Sequence, residues 1–406
     1  MKTAKFHVLT GALLVLLAGS ASAAELRLAA PGPNDQIARK LVAVERKAAA
    51  DLDRKAVAAS WPLAADAKLE PAPVPFVRES REYWRDATEA QLRAGVTLTT
   101  TASEALVRIS PRGGNGAALD ADGIVVRANG RSYAGRAAMQ HVADAQALRS
   151  AGMDVPEGTV IAKLAPDVGS GEIELSAPNA TGRYLVHVFE PKSTHVLTLR
   201  AARDTIVAGE SLTIRANFDG ATPAKATGVL SAPDGHTQDL TFRFAEDGSL
   251  IATIVPDPAH ASGPALWEVH AFAEGQAGKR RVQRDAKTAF AVATPTARFT
   301  GGVTLNSSAG RGGLELRLGV EAASASRYQA SGVLYGRADD GTSKPIGYAQ
   351  AAAWVERGTG TVALAFDSAT LAANKLTAPY ELRDLRLVNQ ADMAVIERRE
   401  NALVVQ

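Results

Sequence analysis

Histidine is the side chain that most readily exchanges a proton near neutral pH. Two of the chain's seven histidines sit in near-copies of one short stretch, RYLVHVF (183–189) and LWEVHAF (266–272). A split metal or acid–base site would need His187 and His270 to meet, whereas a structural strand used twice would place them on equivalent faces of two separate sheets. Side chains alternate along a strand, so Tyr184, Val186 and Val188 share one face, and Trp267, Val269 and Ala271 share the corresponding one. These are the core-facing sets. The histidines point the other way, and a zinc ion asks for three or four ligands that the repeat does not supply. Both histidines therefore read as second-face structural residues in different domains.

Other chemistry is sparse. HExxH, GxSxG and GxxxxGK[ST] are all absent. Ser170 in DVGSGE and Ser308 in NSSAG lie in Gly-rich loops without the strand-to-helix setting of a nucleophile elbow, and read as turn serines. His141 and Asp144 supply one imidazole and one acid on an expected helix, with no third partner. The turns Asp120-Ala121-Asp122-Gly123 and Asp339-Asp340-Gly341 offer at most two carboxylates each, short of the six to eight oxygens that calcium takes. Paired glycosidase carboxylates are defined by their separation in space, which the sequence does not carry. No catalytic residue, cofactor or metal ligand is nominated.

The densest charge is basic: Lys279, Arg280, Arg281, Arg284 and Lys287, with Asp285 among them. On a strand that follows a turn, such a run reads as an edge guarded by charge. A contact to a polyanion or an acidic glycan is the sharper alternative.

The elements that must hold these residues are mostly short strands. Residues 34–60 carry a helical stripe (Ile37, Leu41, Val44, Ala48, Leu52) with charges opposite, and EPAPVPFV (70–77) is a Pro-rich linker. A short helix at 89–94 ends at Gly95. Strands are expected at 96–100, 105–109, 159–164, 171–175 and 183–189, a hairpin at 119–133 with Asp122-Gly123 and Asn129-Gly130 as turn signals, and a second helix at 136–150. From Val196 seven alternating runs follow in about 100 residues, the pattern of an immunoglobulin-like sandwich. The pattern then restarts: SLTIRANF (211–218) matches GLELRLGV (313–320), and ATGVLSAPDG (226–235) matches ASGVLYGRADDG (330–341). Two segments recurring at nearly the same offset, 102 and 104 residues, indicate a repeated domain. A final hairpin turns at Asn389-Gln390.

The expected organisation is a signal peptide at 1–23, a helical arm and Pro-rich linker at 24–77, a mixed, mainly β domain at 78–193, and immunoglobulin-like β-sandwiches at 194–294 and 295–406. The fold class is thus mainly β, with an N-terminal mixed α+β domain ahead of two immunoglobulin-like sandwiches. The first residues, Lys2 and Lys5 before an apolar run and Ala21-Ser22-Ala23, have the form of a Sec-type leader. Export to the periplasm or beyond is expected, without lipid anchoring or disulfides, because the chain has no cysteine. Removing Lys2 and Lys5 leaves Lys+Arg and Asp+Glu equal at 43 each. A balanced chain with interspersed charges argues against nucleic acid as a partner, and no later apolar run reaches the ~20 residues of a membrane span.

The segments ESREYW…GVTLTTTASEALVRISP, GPALWEVHAF…RDAKTAFAV and APYELRDLRLVNQADMAVIERR resemble a family of secreted gammaproteobacterial proteins catalogued as domain of unknown function 4785. The resemblance spans residue 70 to the end. It implies an exported protein with a mixed N-terminal domain and immunoglobulin-like modules, and supplies no catalytic residues. The function expected is non-enzymatic binding of a protein or glycan partner, which is fold-level analogy. The alternatives are a secreted hydrolase with its site in the first domain, and an accessory segment of a secreted protease or secretion system.

Overall fold

The structure, a computed structural model, describes residues 24–44, 51–69, 76–113, 117–260, 265–307 and 312–406. The expected leader (1–23), most of the Pro-rich linker and Ser308 lie outside the described residues. Strands make up 58% of the described residues and helices 8%, so the class is mainly β, built from antiparallel sheets. Among the described residues, no helix is long and apolar enough to cross a membrane.

An N-terminal arm supplies β1 (Ala24–Arg27), β2 (Val57–Pro62) and β3 (Val77–Ser80). A first core then forms from β4 (Glu82–Thr88), α1 (Glu89–Ala94), β5 (Val96–Thr100), β6 (Leu106–Pro111), β7 (Val125–Ala128), β8 (Arg131–Ala134), β9 (Met139–Asp144), α2 (Ala145–Ser150), β10 (Val160–Leu164), β11 (Gly171–Ser176) and β12 (Arg183–Phe189). Its sheets run β4-β12-β6-β10-β9 and β5-β11-β7-β8. Leu98, Val126, Ile173, Tyr184 and Val186 fill the space between them. The α1 helix starts on a capping box, with Thr88 and Gln91 bonding reciprocally, and ends at Gly95, whose φ of 111° a side chain would resist.

The second core follows: β13 (Val196–Ala201), β14 (Thr205–Val207), β15 (Leu212–Asp219), β16 (Thr222–Ser231), β17 (Thr237–Thr241), β18 (Arg243–Phe244), β19 (Leu250–Ile254), β20 (Trp267–Ala277) and β21 (Arg280–Ala293). These form two facing sheets, β18-β19-β15-β13-β3 and β14-β21-β20-β16-β17. The third core uses β22 (Ala297–Ser307), β23 (Leu314–Ala322), β24 (Ser326–Arg337), β25 (Ser343–Val355), β26 (Gly358–Phe366), α3 (Ser368–Ala372), β27 (Thr377–Asn389) and β28 (Ala394–Val405). Its sheets are β1-β22-β23-β26 and β2-β25-β24-β27-β28.

The repeated sequences occupy matching places. β15 lies between β13 and β19 as β23 lies between β22 and β26, while β16 and β24 open the facing sheets. The shared Gly-Val-Leu places Gly228 and Gly332 where a Cβ would come within 2.8 Å of His270 O and 2.9 Å of Leu382 Cδ1 respectively. A side chain at Gly228 would push the neighbouring strand away, whereas one at Gly332 would first displace the Leu382 side chain.

Two helical expectations are corrected. Within 34–60 the described residues form no helix: Gln36 bridges Arg398, and β2 pairs with β25. Residues 45–50 lie outside the described residues. The apolar spacing was helical, but open sheet edges of the third core supply backbone partners along this stretch, and tertiary pairing overrides local propensity. The helix expected at 136–150 spans only α2, because β9 pairs with β10 up to Asp144, which then caps α2 through Ala147 N at 2.8 Å.

The arm thus visits the cores in reverse order, third, then second, then first. Leu26 and Leu28 pack on the third core. Deleting residues 24–44 is expected to cost ~3 kcal/mol of apolar burial there and to lower that core's calorimetric midpoint by roughly 10 °C or more. An unchanged midpoint would show the arm to be dispensable.

Candidate functional site

β21 pairs with β20 along its length, but β14 covers only Ala291–Ala293 on its other side. The open stretch around Arg284 and Asp285 meets β3, β4, β5 and β13. It is a seam between the first and second cores, which corrects its reading as an exposed charged edge. At this point both faces of β21 are buried. Arg284, on the same parity as Val282 and Ala286, is 0% exposed, and Asp285 on the other face is 5% exposed.

Arg284 reaches out of its own unit. Nη1 lies 2.8 Å from Glu190 Oε2, and Glu190 is likewise 0% exposed. Guanidinium N–H groups also donate to His195 O, Gln283 O, Thr101 Oγ1 and Ser193 Oγ. Glu190 Oε1 in turn accepts from the Thr101 and Ala102 amides. The sequence reading missed Glu190. The signal was its parity, since it extends the core-facing set Tyr184, Val186, Val188 by one more position.

The two histidines, expected apart, meet through Trp84. Cross-strand pairing sets Trp84 opposite His187, and their rings stack at 5.0 Å. The Trp84 ring also meets His270 of the second unit edge-on at 5.1 Å, and His270 packs on Phe272 at 4.2 Å. His187 Nε2 lies 2.9 Å from Glu82 Oε2, a hydrogen bond that holds the Glu82 carboxyl below its usual range. Asp285 Oδ2 accepts the Trp84 N–H at 2.7 Å, and Ser80 Oγ donates to the Asp285 carbonyl at 2.5 Å. Burial pushes Asp285 up to about 7 and His270 down to about 4.

Beside this seam a cleft of about 460 Å³ opens between the units. Thr99, Gly171 and Glu172 form the first unit's wall, and Lys279, Arg280 and Arg281, with His195, form the other. Arg280 Nη1 reaches Ser170 Oγ at 3.5 Å, so the Gly-rich turn and the basic run converge. Arg281 is paired with Glu274 at 2.6 Å and Lys287 with Glu268 at 2.9 Å. Among the described residues Lys279 has no ion-pair partner, which leaves Lys279 and Arg280 as the available cations.

The remaining candidates lie apart. His141 sits on strand β9 rather than on a helix, and Asp144 is occupied as a cap. Asp120 accepts from Asp122 N, Asp122 pairs with Arg136, and Asp340 holds Thr342 in its turn. Among the described residues no group of three or more His, Cys, Asp or Glu side chains is placed to hold a metal ion.

With this geometry established, comparison with known proteins gives two family matches. Residues 48–190 match the N-terminal domain model described as domain of unknown function (DUF4785), and residues 296–406 match the C-terminal domain model of the same family. A DUF4785 family protein of known crystal structure from Legionella pneumophila subsp. pneumophila superposes with a TM-score of 0.69 at 18% identity, over 91% of this chain and 98% of that one. At this identity the likeness is one of fold. Trypsin-activated alpha-2-macroglobulin from Escherichia coli aligns at 12% identity over 74% of this chain and 22% of its own, with a TM-score of 0.20, and carries no argument. No curated protein matches.

The buried pair offers a direct test. Arg284→Met strands Glu190 and is expected to cost ~3–5 kcal/mol in urea unfolding. Glu190→Gln keeps an acceptor for Thr101 and Ala102 but leaves the Arg284 charge buried without a counter-ion, and should cost a similar amount. The double variant should cost less than the two single losses added together, and additive losses would contradict the pairing.

Proposed function

The chain belongs to the DUF4785 family, whose description assigns no activity, and from its geometry we propose that it is an exported, non-enzymatic binding protein. Its partner is an anionic chain such as an acidic glycan, held in the cleft between the first and second cores. The observation that carries this reading is the convergence of Lys279 and Arg280 with the Ser170–Gly171 turn of the other unit, so that a ligand would be gripped from both sides. Two further points support it: the cations project from a wall fixed by the buried Arg284, and the two later units read as immunoglobulin-like modules, whose loops and faces commonly serve binding. The leader-like N-terminus favours a partner outside the cytoplasm.

Isothermal titration at low salt with polygalacturonate and with neutral dextran tests the proposal. Binding of the acidic polymer alone is expected, falling as salt screens the cations. Lys279→Ala with Arg280→Ala removes two exposed charges worth ~0.7–1 kcal/mol each, a loss of roughly tenfold or more. Equal binding of the two polymers, or an unaffected double variant, would sink the reading.

A further inference from the structure

Two titratable groups at the seam lack a partner of opposite charge. Asp285 receives the Trp84 N–H, and among the described residues no cation lies within ion-pair distance of it. Arg284 beside it is committed to Glu190, and Lys225 of β16 and Arg281 of β21 itself both pair with Glu274. Glu82 and Tyr83 approach from β4, with Glu82 engaged by His187 and by Arg78 of β3. On β3 and its exit, Glu79 and Arg81 pair with each other. His270, on β20 next to β21, packs between Trp84 and Phe272, and its buried Nε2 has no hydrogen-bond partner. Lys287, its cross-strand neighbour, pairs with Glu268. One residue of the other unit touches both groups: Trp84 meets Asp285 through its backbone and His270 through its ring.

We propose that the seam is proton-compensated: Asp285 and His270, clasped on the same Trp84, respond to pH in opposite senses, so that the first and second units stay together from acidic to neutral conditions. Desolvation raises Asp285 from an ordinary 3.8 to about 7, with Glu82 adding to the effect and the Trp84 N–H opposing it. A closed seam then holds a proton that an opened seam releases, and closure weakens as pH rises from about 4 to about 7. Desolvation lowers His270 from 6.5 to about 4, with Lys287 acting in the same direction. Here the opened seam takes up the proton, and closure strengthens as pH rises across nearly the same interval. Glu82, held low by His187, loses its contribution only at more acidic pH. The inference goes beyond the ligand reading and needs no ligand for its test.

The test is amide exchange of residues 82–88 and 283–288 in the full chain, corrected for the intrinsic pH dependence, from about pH 4.5 to about pH 6.5. The wild-type opening constant should change less than that of either single variant, because the two groups act in opposite senses. Asp285→Asn, which keeps an acceptor for the Trp84 N–H, should open less as pH rises, by at least tenfold, the equivalent of one pKa unit. His270→Phe should open more by a similar factor, and the double variant should be flat again. Single variants that track the wild type, or that slope in the same direction, overturn the proposal. If one single variant does not fold, the slope of the other against wild type decides, and a wild type that changes tenfold or more overturns it outright. Failure of polyanion binding at the cleft would leave this result untouched.

Discussion

The relation between the first and second cores depends on one desolvated ion pair. Arg284 and Glu190 are both withdrawn from water, which costs several kcal/mol per ion before attraction repays it. Such a pair adds little net stability compared with apolar residues of the same size. It is intolerant of displacement, however, because the guanidinium is also bonded to His195, Gln283, Thr101 and Ser193. The Thr101, Ser193 and His195 groups around it come from the loops between β5 and β6 and between β12 and β13, so those loops are fixed along with the units they join. The cations of the cleft wall inherit their position from this anchor, four or five residues along the same strand.

The same strand shows how burial divides residues of like type. Arg280 and Arg281 lie at the start of β21, on the wall of the open cleft, and stay in water. Arg284 lies where the end of the second core is capped by the first, and Asp285 lies under β4 on the opposite face. A run that composition describes as one basic cluster is therefore two devices, an exposed wall and a buried tie.

Much of the β framework was legible in the sequence because it is written in short-range signals. The alternation in RYLVHVF gave β12 its bounds, Gly95 ended α1, and Asn129-Gly130, both at positive φ, marked the hairpin between β7 and β8. The arm was misread because its helical spacing is real locally and loses only to sheet edges almost 300 residues away. The junction was half legible. Glu190 and Arg284 each continue a core-facing parity with a charge, an anomaly that a pairing would resolve. Nothing local, by contrast, says that Trp84 stands between His187 and His270, because that requires knowing how two units are set against each other.

The reverse path of the arm has a consequence for how the molecule comes into being. A chain made from its N-terminus produces β1 and β2 first, yet their neighbours β22 and β25 are separated from them by the first two cores. The earliest residues are therefore the last to be placed, with Leu26, Leu28 and the Trp61 segment waiting unpaired while the two earlier cores close. Such long-range closure is slow, and an unpaired apolar strand is open to wrong partners meanwhile. Assembly of this protein ends where its synthesis began, and a second copy's vacant edge is the competitor that its own third core must outrun.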